Sequence, residues 1–318
     1  MEVTKVDAFM NNHDYVRVTD MRRIIELQYM QHWNKTCPIL KLNRSEYLVK
    51  STGEIGTYKL SKTRRDNMNS MRQSFKRLSY LINANFSGAN NELWITLTFK
   101  KDVYDHDEAL NKFKKFIMRL RYYSKKRWGG YGHLEFVRAI EPHEKGDWHF
   151  HMLLKYPALK SVFIANEEFA NIWKHGYVKI QRPEKTDNIG AYFTSYLTNL
   201  EVNEDDFEGL TPEEEEKHVS ELLNVPGARN IEYTKSNKSK RVIKGGRLHL
   251  YPSGMQLYNT SRGIKMPSRK DMTRKKAIKR YKIKAQNLTL RKSLLIKDLD
   301  NDFENILIIE QYNLGVWK

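Results

Sequence analysis

The chain has 318 residues, with 56 Lys and Arg against 38 Asp and Glu, a formal net charge of +18 and a pI near 9.6. That balance suits a polyanion partner without separating DNA from RNA or an anionic membrane. A single cysteine, Cys37, excludes a disulfide framework and a zinc finger and fits a reducing cytoplasm. No apolar run approaches membrane-spanning length, and residues 1–10, MEVTKVDAFM, are no signal peptide.

Residues 1–60 read as a mixed N-terminal extension, with a helix over 21–32 and short strands over 39–60 around Gly53 and Gly56. Asp66 caps a helix running to Ile82. Its apolar stripe is Met68, Met71, Phe75, Leu78 and Ile82, and Arg72, Lys76 and Arg77 form a solvated face. After a turn at 87–91, residues 94–99, WITLTF, form a strand. Ile95, Leu97 and Phe99 take one side, Trp94, Thr96 and Thr98 the other. A helix over 106–127 turns Leu110, Phe113, Ile117 and Leu120 inward.

Two strands follow. Residues 132–141, GHLEFVRAIE, and 148–155, WHFHMLLK, flank a turn built on Pro142, Gly146 and Asp147. Residues two apart in a strand share a face, so His149 and His151 project together. Antiparallel pairing sets Glu141 opposite His149. One carboxylate and two imidazoles then meet on a sheet face, a mixed donor set suited to magnesium or manganese with positions open to phosphate oxygens. Glu135 shares that parity but lies further away, and His143, Glu144 and Asp147 are within reach of the same place.

A helix over 161–173 and a strand over 177–181 lead to residues 187–200, DNIGAYFTSYLTNL. Asp187 or Asn188 caps this helix, and Ile189, Phe193, Leu197 and Leu200 form its apolar stripe. Tyr192 and Tyr196, four apart, stack beside the stripe. A phenol with a pKa near 10 is only about one-thousandth ionised at pH 7, so a metal that polarises a target phosphate would aid it. Residues 201–216 are acidic and read as an exposed linker. From residue 235 the charge reverses, and 248–251 read as a strand. Residues 269–284, RKDMTRKKAIKRYKIK, carry candidate phosphate contacts in Arg269, Lys270, Arg274, Lys275, Lys276, Lys279 and Arg280. The apolar runs 294–296 and 306–309 close a small C-terminal domain.

The order strand, helix, two strands, helix, strand, helix predicts an α+β fold with a central antiparallel sheet flanked by helices. Expected boundaries are an N-terminal extension over 1–85, a core over 86–202, a linker over 203–240 and a basic region over 241–318.

The ordered motifs WITLTF, His149-Phe150-His151 and the tyrosine pair of YFTSY resemble the rolling-circle replication initiators (Rep proteins) of the HUH endonuclease superfamily, found in plasmids and phages. The resemblance covers residues 90–200. It implies a metal ion held by Glu141, His149 and His151, and a tyrosine that attacks origin DNA to leave a 5′-phosphotyrosine and a free 3′-hydroxyl. Tyr192 stands at the place of the main nucleophile. Tyr196 is a second nucleophile or a packing residue. Many relatives carry lysine three residues after the first tyrosine. Here that position is Ser195, so another cation substitutes there or the contact is absent. Single- and double-stranded origin DNA, a host helicase and host replication proteins are the implied partners, in the cytoplasm and away from membranes. The chain has no G-x-x-x-x-G-K-[ST] phosphate loop to drive unwinding itself. Rival readings are a single-strand transposase of the same chemistry, an iron oxygenase built on two histidines and a carboxylate, and a non-enzymatic nucleic-acid-binding regulator.

Overall fold

The computed structural model describes residues 2–33, 38–43, 45–58, 68–142, 146–183, 188–202, 211, 213–214, 217, 220, 229–235, 238–247, 250–252, 255–298 and 303–315. Two compact units divide the chain, one from Met1–Ser61 with Met266–Lys318 and one from Lys62–Lys265.

The second unit is built on a five-stranded sheet. Its strands are β7 (Glu92–Phe99), β8 (Glu135–Pro142), β9 (Trp148–Lys155), β10 (Gly176–Gln181) and β14 (Tyr258–Thr260), in the order β10-β7-β9-β8-β14, every neighbour antiparallel. Strand alternation sends Ile95, Leu97, Phe99, Phe150, Met152 and Leu154 to one face. There α2 (His106–Trp128) and α3 (Asn166–Trp173) cover them with Phe113, Phe116, Leu120, Phe169 and Trp173. Asp105 caps α2 by accepting from the Glu108 N–H. The helix expected over 161–173 begins only at Asn166. Before it, Val162 and Ile164 are buried, and the Val162 N–H is bonded to the Asn90 carbonyl, so the backbone is committed elsewhere.

The opposite face carries Trp94, Val137, Ala139 and Leu153 under α1 (Met68–Asn85) and α4 (Ile189–Thr198), with Leu78, Ile82, Ile189, Phe193 and Leu197 from the helices and Phe86 from just beyond α1. These two helices meet closely at Gly190. A Cβ there would collide with the Ser79 carbonyl oxygen, and the Gly190 N–H donates to Asn83 Oδ1 at 2.8 Å. Buried Glu92 secures the turn before β7 by accepting from the N–H groups of Ser87, Gly88 and Ala89. Strands β11 (Leu200–Val202), β12 (Arg229–Lys235) and β13 (Lys238–Lys244) form a smaller sheet in the order β11-β13-β12. Of the expected strand over 248–251, residues 248 and 249 lie outside the described residues, and Tyr251 is in a bend. Asp66 and Asp187, expected as caps, also lie outside them.

The first unit holds a six-stranded antiparallel sheet. In chain order its strands are β1 (Glu2–Lys5), β2 (Tyr15–Met21), β3 (Ile24–Met30), β15 (Ser268–Thr273), β16 (Leu288–Lys297) and β17 (Glu304–Asn313). Across the sheet they run β1-β16-β17-β3-β2-β15. The helix expected over 21–32 is instead the turn and second strand of a hairpin. Arg22 takes a positive φ of 67° at the turn, and Ile25 and Leu27 alternate with Glu26 and Gln28, a period of two. The apolar runs near the C-terminus close no separate domain, because they pair with N-terminal strands. Expected extension and expected basic region therefore share one unit, while α1 belongs to the other. A small sheet of β4 (Ile39–Lys41), β5 (Glu46–Val49) and β6 (Ile55–Thr57) and helix α5 (Arg274–Tyr281) complete the first unit.

Glu310, 1% exposed, is the polar centre of this unit. It accepts from Arg274 Nη2 at 3.2 Å, Arg291 Nε at 3.1 Å and the Tyr312 hydroxyl at 2.5 Å. Removing one partner of such a group strands the others. Glu310→Ala is expected to cost about 3–5 kcal/mol in urea unfolding of the chain, and a loss under about 1 kcal/mol would contradict a structural role for this cluster.

Candidate active site

The hairpin of β8 and β9 has the register expected from its turn. Glu141 stands opposite His149 and Ala139 opposite His151, while on the other side β7 sets Thr98 against His149 and Thr96 against His151. Glu141, His149, His151, Thr96, Thr98 and Trp94 therefore share one sheet face. His143 and Glu144 lie outside the described residues. Glu135 is used elsewhere, accepting from His133 Nε2 at 2.7 Å and the Gly263 N–H at 3.0 Å.

His151 is held at both ring nitrogens. Its Nε2 lies 2.5 Å from Glu141 Oε2 and its Nδ1 3.4 Å from Thr96 Oγ1. Burial pushes the imidazole down to about 4, so the ring is neutral at physiological pH. A proton on Nε2 donates to the carboxylate, and Nδ1 accepts from the threonine hydroxyl. That second contact fixes the ring and leaves Nε2 facing the site. His149 Nε2 lies 3.2 Å from Asp147 Oδ2, and both side chains are largely buried.

The second oxygen of Glu141 accepts from Arg247 Nη1. Arg247 belongs to the turn after β13, and its backbone N–H bonds the Thr198 carbonyl at the end of α4 at 3.2 Å. Burial pushes the Arg247 guanidinium below its ordinary range, with partial compensation from Tyr251. Its Nε is buried with no hydrogen-bond partner.

Among the described residues, no three His, Cys, Asp or Glu side chains converge on a point that would hold a metal ion. The donor set nevertheless suits one by kind: a carboxylate and two imidazoles on a single face, one imidazole kept neutral by burial. The set closes when His149 turns from Asp147 and Glu141 releases Arg247. Asp147 is a fourth donor at the same edge.

Helix α4 brings the tyrosines to this face. Asn188 caps it by accepting from the Ala191 N–H at 2.8 Å, and Ile189, Phe193 and Leu197 are buried as their spacing predicts. The Tyr192 and Tyr196 hydroxyls lie 2.9 Å apart. Both rings meet Trp94 edge-on, at centroid distances of 5.4 and 5.3 Å. Trp94 is two residues along β7 from Thr96, about 7 Å by strand rise. Phe193, between the tyrosines, lies 6.3 Å from the His151 ring. Tyr196 is 43% exposed. Ser195 contributes no cation, since its hydroxyl donates to the Tyr192 carbonyl at 2.7 Å. Trp94 and Arg247 join the site without having been candidates by sequence. Strand parity alone points to Trp94, whereas no local pattern marks Arg247.

The basic candidates fall in the other unit, on β15 and α5. Arg269, Lys270, Lys275, Lys276, Lys279 and Arg280 are exposed or half-exposed. Arg274 differs, because its guanidinium turns inward to Glu310 and holds the fold.

Residues 92–201 match a family of replication-associated proteins of the ORF2 type, which act in rolling-circle replication. The matched segment begins at the first residue of β7 and ends just beyond α4, so it contains Glu141, both histidines and both tyrosines. No curated protein and no solved structure matches the chain. Among the described residues, no helix is long and apolar enough to cross a membrane.

Proposed function

We propose that the chain starts rolling-circle replication by nicking one strand of origin DNA with a tyrosine nucleophile of the HUH type. The match of residues 92–201 to replication-associated proteins supports the replication role. The chemistry rests on one observation: two hydrogen-bonded tyrosine hydroxyls stand against Trp94, on the sheet face that bears Glu141, His149 and His151.

In this reading the Tyr192 oxygen attacks the scissile phosphorus in line. The bond to the 3′-oxygen breaks, the tyrosine stays linked to the 5′-phosphate, and the departing oxygen takes up a proton to become the 3′-hydroxyl that primes synthesis. Tyr196 accepts the hydrogen bond from the attacking phenol, and its exposure gives the released proton a route to water. A magnesium or manganese ion held by Glu141, His149 and His151 would supply Lewis acidity at the phosphate. Burial keeps His151 neutral for ligation, and Thr96 fixes its ring. Trp94 holds both phenols at one height above the sheet. The phosphodiester energy is conserved in the tyrosine ester, so the same site rejoins strands. With no phosphate loop in the sequence, unwinding falls to a host helicase. The test is incubation with manganese and single-stranded oligonucleotides tiled across the DNA element that carries the gene. A metal-dependent protein–DNA adduct that survives denaturation supports the reading, and cleavage without an adduct, or no cleavage, removes it.

Exposed cations of α5 would add phosphate contacts away from the chemistry. Deleting residues 268–285 is a poor test, since Met272, Ala277 and Ile283 are core residues and β15 pairs with β2. Alanine at Lys275, Lys276, Lys279 and Arg280 together spares the fold. The slope of log affinity against log salt for duplex DNA should flatten by about 0.9 for each phosphate no longer neutralised. Cleavage of a short oligonucleotide should persist. An unchanged slope would take α5 off the DNA surface.

A further inference from the structure

A nucleophilic attack on a phosphodiester places negative charge on the non-bridging oxygens, and a fixed cation there lowers the barrier. Helix α4, IGAYFTSYLT, carries no basic residue, and Ser195 spends its hydroxyl on the helix backbone. The cation on this face comes instead from Arg247, beyond the matched segment. Its segment is tied to α4, through the Arg247 N–H to the Thr198 carbonyl and through the Tyr251 hydroxyl to the Leu197 carbonyl. Tyr251 is fully buried, so this segment and the tyrosine helix form one packed body.

We propose that Arg247 is the phosphate-binding cation of the nicking site, and that it holds Glu141 until a divalent ion takes that carboxylate. This rests on the nicking reading above. The guanidinium reaches Glu141 through Nη1 alone, while Nε, on the same side chain, is buried and unpartnered. A guanidinium presents its N–H groups as a fork that matches phosphate oxygens in pairs, so a one-armed contact leaves donors unused. Glu141 is itself almost fully buried and already shared with His151. A divalent cation on Glu141 would repel the neighbouring guanidinium, whose nearest fitting anion is then the DNA phosphate. Arg247 thus orders events: metal frees the arginine, and the arginine captures the scissile strand. It also accounts for the missing lysine at position 195, since the charge arrives from a different element.

The experiment uses the full chain as wild type, Arg247→Gln and Arg247→Lys. Manganese chloride alone is titrated calorimetrically, and single-turnover cleavage of the tiled oligonucleotides is timed at saturating manganese. Removing the competing cation in Arg247→Gln should tighten manganese binding by about tenfold. It should slow cleavage by about 10²-fold, chiefly in the rate at saturating DNA rather than in the DNA concentration needed for half-saturation. Arg247→Lys, which keeps the charge without the fork, should bind manganese like wild type and cleave at an intermediate rate. It also stands in if Arg247→Gln fails to fold: a wild-type cleavage rate in Arg247→Lys then overturns the proposal. Wild-type manganese affinity or a wild-type cleavage rate in folded Arg247→Gln overturns it too, as does a wild-type chain that binds no manganese. A wild-type chain that binds manganese but forms no adduct removes the nicking reading itself, while the titration still decides whether Arg247 competes for Glu141.

Discussion

Tyr192→Phe is expected to abolish the covalent adduct on single-stranded DNA, lowering its rate of formation by on the order of 10⁴-fold or more, as deleting a nucleophile does elsewhere. The substitution removes one oxygen and keeps the ring, so the edge contact with Trp94 at 5.4 Å and the packing of α4 survive. Any loss of activity is then chemical and not a failure of folding, and an unchanged melting curve would establish that. Tyr196→Phe should still form the adduct, at a rate reduced by the loss of the 2.9 Å hydrogen bond between the hydroxyls. Its larger defect is expected in later strand transfer, where a second nucleophile is needed. Since the two rings share Trp94 and differ by one helical turn, a small shift of DNA or helix would bring either hydroxyl to one phosphate. Equal adduct formation by Tyr192→Phe and wild type would assign the chemistry elsewhere.

The second large effect concerns the ligand set. His149→Ala and His151→Ala should each reduce nicking by at least about 10³-fold while duplex affinity stays near wild type, because the exposed cations lie on other elements. Glu141→Gln is the informative carboxylate change. It keeps the shape between His151 and Arg247 and removes the charge, whereas Glu141→Ala would also leave the half-buried Arg247 guanidinium without its carboxylate. Manganese titration read beside cleavage separates ligation from folding. Full activity in all three variants would sink the metal site. Full activity in Glu141→Gln alone would move the carboxylate ligand to Asp147, which already pairs with His149 at 3.2 Å.

What the sequence conveyed follows the range of the interactions involved. The pairing of Glu141 with His149 was legible because turn residues and a period-two pattern lie within one hairpin, where register is a local property. The stripe of Ile189, Phe193 and Leu197 was legible for the same reason. The hairpin of β2 and β3 was misread as helical over residues 21–32. Its Ile24-Ile25 pair blurs the alternation, and the turn rests on a positive φ at Arg22, a residue with no turn preference. Pairing of β16 with β1 and of β17 with β3 joins strands hundreds of positions apart, which no window of sequence encodes. Arg274 looked like its basic neighbours, and only the buried Glu310 on β17 distinguishes it. Arg247 meets Glu141 across 106 positions, which is why the candidate site read from motifs lacked its cation.

The central claim is that a tyrosine on α4 becomes linked to DNA, and peptide mapping of the adduct tests it most directly. The wild-type chain is incubated with manganese and the cleaved oligonucleotide, the protein is digested, and the peptide carrying a 5′-phosphate is sequenced by mass spectrometry. The account predicts the modification on Tyr192, with no more than a minor fraction on Tyr196. Cleaved DNA with no peptide attached, or a modified tyrosine outside Ile189–Thr198, would contradict it.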